Sequence, residues 1–63
     1  MELREFRGYI KGKLEYTFPW HWVESIRPVG KGMLVTYDDE TKYDTEMGDI
    51  VFTEIYVDYI DVK

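Results

Sequence analysis

Ile50-Val51-Phe52-Thr53-Glu54-Ile55-Tyr56-Val57-Asp58-Tyr59-Ile60-Asp61-Val62 is a run of β-branched, aromatic and acidic residues. The first two types suit a pleated surface, and successive side chains of a strand leave on opposite faces. Val51, Thr53, Ile55, Val57 and Tyr59 are therefore expected to point one way, and Phe52, Glu54, Tyr56, Asp58 and Ile60 the other. The first set reads as core. The second mixes aromatic surface with negative charge, which suits a protein partner better than water alone.

Working outward, the same alternation recurs. Phe6, Gly8 and Ile10 lie on one side of a first strand, Lys11-Gly12-Lys13 turns the chain, and Leu14, Tyr16 and Phe18 line one face of a second strand. Pro19 lacks an amide donor and ends that ladder, so Pro19-Trp20-His21-Trp22 is expected to make a single helical turn. A third strand over Val23 to Val29 is followed by the tight turn Gly30-Lys31-Gly32 and a fourth strand, Met33 to Tyr37. Asp38-Asp39-Glu40 reads as a turn, Thr41 to Met47 as a weaker fifth strand, and Gly48-Asp49 as a break before the last strand. The expected fold is all-β: five to six strands in a small SH3-like barrel or two orthogonal sheets.

A chain of 63 residues has room for one domain, taken here as residues 1–63, with a small core. Two Trp, three Phe and six Tyr enlarge what that core can bury, since each ring removes about 150–250 Å² from water. Cysteine is absent, which excludes disulfides, thiolate metal sites and cysteine catalysis. Ala, Asn and Gln are absent too; loss of the best helix former favours strands, and loss of thermolabile residues fits a hot source. The opening Met-Glu-Leu-Arg-Glu-Phe has mixed charge and no long apolar run, giving the expectation of a cytoplasmic protein without a membrane span. Net charge is −5, the wrong sign for neutralising phosphates, although Arg4, Arg7, Lys11 and Lys13 form a local basic strip among Glu2, Glu5 and Glu15.

Lys11-Gly12, the short helical turn, Ile26, and Val29-Gly30-Lys31 running into Met33-Leu34-Val35-Thr36-Tyr37-Asp38 together resemble the hairpin-turn-hairpin core of the small archaeal chromatin proteins. The resemblance covers about residues 6–40 and implies an SH3-like barrel. It does not carry DNA binding with it. Family members are strongly basic and press Trp, Val and Met into a minor groove, whereas the corresponding strand here has Arg27-Pro28, and an acidic strand replaces the family's C-terminal helix. Met33 alone matches a family contact position.

Chemistry on this chain is sparse. His21 and Ser25, with Glu24 or Glu15, are the only residues from which a hydrolytic triad could be assembled, and so small a barrel offers little volume for the pocket a triad needs. Asp38, Asp39, Glu40 and Asp44 lack the alternating acids, central Gly and closing Glu of a calcium loop. Gly30-Lys31-Gly32 lacks phosphate-loop spacing. No catalytic residue, metal or cofactor is expected.

The leading expectation is a non-enzymatic protein-interaction domain. Phe52, Tyr56 and Ile60 would anchor a basic, partly apolar partner surface, and Glu54 and Asp58 would steer its approach. A small virus- or mobile-element-encoded inhibitor or nucleic-acid mimic would have this character. A homodimer through the terminal strand is the structural variant. The first alternative is an SH3- or Tudor-like peptide reader, with Trp20 and Trp22 opposite Tyr37, Asp38 and Asp39; one Trp is expected in the core and the other outside. The second is a nucleic-acid-binding barrel using the basic strip.

Overall fold

The computed structural model describes residues 4–42 and 52–63. Those residues form six strands, β1 (Glu5–Ile10), β2 (Lys13–Pro19), β3 (Val23–Val29), β4 (Gly32–Asp38), β5 (Phe52–Val57) and β6 (Tyr59–Val62), with 3-10 turns at Trp20–Trp22 and Glu40–Lys42. They make two antiparallel three-stranded sheets, ordered β2-β1-β6 and β3-β4-β5. The all-β reading and the helical turn after Pro19 are both observed. Thr41 and Lys42, expected to open a fifth strand, lie instead in the second 3-10 turn. Asp39 sets that turn: its carboxylate accepts hydrogen bonds from the Thr41 amide (3.1 Å) and hydroxyl, a capping arrangement that outcompetes a strand start. The remainder of that expected strand and the Gly48-Asp49 break lie outside the described residues.

Turn chemistry explains the hairpins. Ile10 pairs with Lys13, so the β1–β2 loop is Lys11-Gly12 alone, with φ of 52° and 78°. Positive φ at both loop residues is what a type I′ turn requires, and its twist matches the strands it joins. In the β3–β4 loop Val29 pairs with Gly32, and Gly30 supplies a φ of 60° at the first position. Gly32, expected in the turn, is a buried residue of β4.

Two departures from simple alternation shape the surface. Between Gly8 and Tyr9 the β1–β2 register slips, so Tyr16 faces Gly8 while Leu14 faces Tyr9, leaving Glu15 as the extra residue of a bulge. Leu14 is thereby turned out of the core and is 50% exposed. At Asp58 the terminal run bends between its two sheets: β5 pairs with β4, and β6 pairs with β1. The Asp58 amide donates to the Tyr9 carbonyl (2.9 Å), and its carboxylate accepts from the Lys11 amide (2.9 Å), tying the bend to the first hairpin. One residue is spent in the bend, so the phase inverts. Tyr59, expected inside, is 60% exposed, and Ile60, expected outside, packs against the core.

The core is built largely of stacked rings. Phe6 lies 4.4 Å from Phe18, Phe18 lies 4.3 Å from Tyr37, and Trp20 and Trp22 stack on Phe6 (6.5 Å) and Phe18 (5.8 Å) respectively. Val35, Ile55 and Val57 complete it. The sheets approach closely at Gly8, where a Cβ would stand 2.8 Å from Val57 Cγ1. β1 is the central strand of its sheet, paired on both sides, and this fixes the register that Gly8 leaves permissive.

Candidate interaction face

β5 presents Phe52, Glu54 and Tyr56 on the outer side of its sheet, all exposed, while Ile55 and Val57 are buried on the other. The alternation read from the sequence therefore holds over this strand. The register extends the face across β4 and β3: Phe52 stands opposite Asp38, Glu54 opposite Thr36, and Tyr56 opposite Leu34. Thr36 and Leu34 in turn stand opposite Ser25 and Arg27. Phe52 is 54% exposed and Tyr56 43%. Glu54 and Asp38 put two carboxylates on this face, and Arg27 puts one cation beside them.

Tyr56 is held in place. Its hydroxyl donates to the Val29 carbonyl (3.1 Å), so the ring spans the sheet from β5 to the end of β3 and passes over Gly32. A glycine in β4 is what lets the ring lie so close to the backbone. Asp38 Oδ1 is buried and has no hydrogen-bond partner among the described residues, and Trp22 Nε1 shares that condition. The signal for the wider face, Leu34, Thr36 and Arg27 beside β5, is not in the terminal run itself; it needs the strand order.

The remaining residues singled out in the sequence are dispersed. Asp58 is exposed but engaged at the bend, and Ile60 belongs to the core side. Trp20 and Trp22 are both half-buried, each with a ring face against a phenylalanine, so neither is wholly inside nor free. Tyr37 is buried within the stack and Asp39 is buried beneath its 3-10 turn, which takes two residues out of the wall expected opposite Trp20 and Trp22 in a peptide reader. His21 pairs with Glu40 at 3.5 Å, joining the two 3-10 turns at the surface, while Ser25 sits on the outer face of β3. Arg7 bonds Glu5 at 3.3 Å and stands opposite Asp61, Lys11 occupies the I′ turn, and Lys13 starts β2. Of the basic strip, Arg7 is thus paired with an acid of the same strand. The Glu5 carboxylate, by hydrogen bond and charge, raises the Arg7 guanidinium further above its ordinary value.

An open depression of about 420 Å³ is lined by Arg4, Glu5, Thr17, Phe18, Pro19 and His21. No cluster of three or more His, Asp or Glu that could hold a metal ion occurs among the described residues. No helix among them is long and apolar enough to cross a membrane.

Burial pushes the Tyr37 hydroxyl above its ordinary value of 10.0, and the nearby Asp39 charge adds to the effect. Above that ordinary value an unfolded chain releases the proton and the folded chain keeps it, so the unfolded state binds fewer protons and stability falls as pH rises. Tyr37→Phe is expected to reduce the loss of stability from about pH 10 upward, read as denaturant midpoints across pH. An unchanged alkaline slope in that variant would contradict the placement of Tyr37.

Comparison with protein-family models, curated proteins and solved structures finds no match to this chain.

Proposed function

We propose that this chain is a non-enzymatic protein-interaction domain that binds a basic, partly apolar protein surface through the outer face of β3-β4-β5. The observation that carries the reading is the exposure of Phe52 and Tyr56 on either side of Glu54, with Asp38 and Leu34 opposite them. Two aromatic anchors separated by a carboxylate match an arginine- or lysine-rich site with apolar ground between its charges. The Tyr56–Val29 hydrogen bond supports it further, because a ring already fixed loses less freedom on binding.

Net charge of −5 would speed encounter with a basic partner and make it salt-dependent. A protein of this kind would serve as an inhibitor that occupies the site where an enzyme grips nucleic acid, as a small virus- or mobile-element-encoded product does. The SH3-like barrel implied by the archaeal resemblance is the architecture we carry into this reading, and two three-stranded antiparallel sheets support it.

Affinity capture from an extract of the native host, read by mass spectrometry, tests the proposal. The wild-type chain is expected to retain a basic protein, and Phe52→Ala combined with Glu54→Lys to lose it, with dissociation constants rising by about 30-fold or more as for an interface centre. Unaltered capture by the double variant, with loss in Trp20→Ala, would favour the peptide reader. Steeply salt-dependent retardation of DNA or RNA would favour the nucleic-acid barrel and end the mimic reading.

A further inference from the structure

A second exposed feature lies on the other sheet and does not depend on the reading above. Leu14, Tyr9 and Tyr59 occupy one row across β2, β1 and β6. Leu14 is 50% and Tyr59 60% exposed, and the Tyr9 and Tyr59 rings meet at 5.6 Å. The row exists because the bulge at Glu15 turns Leu14 outward and the bend at Asp58 turns Tyr59 outward. Two independent departures from alternation thus deliver apolar side chains to the same line.

Among the described residues that line stops at an open edge. β2 is the outer strand of its sheet, and Lys13, Leu14, Glu15 and Thr17 are exposed along it. Its only proline, Pro19, is its last residue, so the rest of the edge keeps its amide donors. The outer strand of the other sheet, β3, carries Pro28 within it, a device that discourages pairing.

We infer that β2 pairs edge to edge with β2 of a second copy, antiparallel about a two-fold axis at Leu14. Two features of this register are complementary. Leu14 meets its own counterpart, which joins the two apolar rows into one line running from Tyr59 through Tyr9 and Leu14 into the second molecule. Lys13 stands opposite the partner's Glu15, and by symmetry the pair occurs twice. A two-fold moved one residue either way would set Lys13 against Lys13 or Glu15 against Glu15, so charge selects the central register. Each copy has a net charge of −5, and the contact is one short strand plus one row, so association belongs in the weak range and needs high protein concentration.

Sedimentation equilibrium of the full chain over rising concentration reads the outcome directly. The expected mass climbs from 7.6 kDa toward twice that value. Leu14→Lys sets two ammonium groups on the axis and is expected to return the monomer mass; its side chain is half in solvent, and circular dichroism would verify that the strands persist. Lys13→Glu alone is expected to abolish the dimer, and Lys13→Glu with Glu15→Lys to restore it, a rescue no merely structural role for these residues produces. A monomer mass at every concentration, or a dimer that persists in Leu14→Lys and in Lys13→Glu, would overturn the inference.

Discussion

Phe6→Ala is expected to cost about 3–5 kcal/mol, the range for removing a fully buried phenylalanine. Phe6 has no exposed surface, stacks on Phe18 at 4.4 Å, and carries Trp20 on its edge of the stack. Removing it opens a gap that the neighbouring rings cannot close without losing their own contacts, because the Phe18–Tyr37 pair and the Trp22 indole depend on where Phe18 lies. A domain of this length holds roughly 3–9 kcal/mol of stability in all, so the variant is expected to lose at least about a third of it. Urea titration followed by tryptophan fluorescence checks it. Phe52→Ala is the proper contrast: its ring is 54% exposed, and a small shift in midpoint is expected.

Gly32→Ala is the second large effect. A Cβ at this position would run into the Val57 carbonyl oxygen and stand 2.6 Å from the Tyr56 hydroxyl. The first of these is backbone, so β4 and β5 must separate; the second is the ring that the Val29 carbonyl holds across the sheet. Overpacking of this kind costs about 1–3 kcal/mol, and here it also unseats Tyr56 from its hydrogen bond. Two readouts are expected to move together: a lower denaturation midpoint, and weaker capture of the basic partner than Phe52→Ala alone produces. Tyr56→Phe separates them, since it deletes only the hydroxyl and is expected to change capture far more than midpoint.

The hairpins and the strand faces were largely legible from the chain. Lys11-Gly12 and Gly30-Lys31 sit between apolar alternations, and the positive φ at Gly12 and Gly30 falls on residues that adopt it freely, whereas the positive φ at Lys11 comes from the two-residue hairpin and not from its side chain. The β5 face was legible for the same reason, down to Phe52, Glu54 and Tyr56 pointing outward. What escaped was tertiary. Asp58 bends the terminal strand through bonds to Tyr9 and Lys11, residues far away in sequence, and no proline or glycine marks the place. A run that looks unbroken therefore serves two sheets, and the faces of Tyr59 and Ile60 exchange. Leu14 was displaced by a bulge that depends on how β1 pairs. One of Trp20 and Trp22 is expected inside and the other outside, and the stack of Phe6 and Phe18 instead half-buries both by giving each indole its own ring. Tyr37 alternates correctly along β4, but its burial in that stack, and so its loss as a groove wall, required knowing where Phe18 lies.

The central claim is that the β3-β4-β5 face, and no other surface, meets the partner. Its most direct test is an amide-resolved NMR titration of the isotope-labelled chain with the basic protein that capture identifies. Shifts are predicted to concentrate at Phe52, Glu54 and Tyr56 and to extend to Leu34, Thr36 and Asp38 across the register. Shifts confined to Trp20, His21 and Trp22, or to Arg4, Lys11 and Lys13, with β5 unmoved, would contradict it.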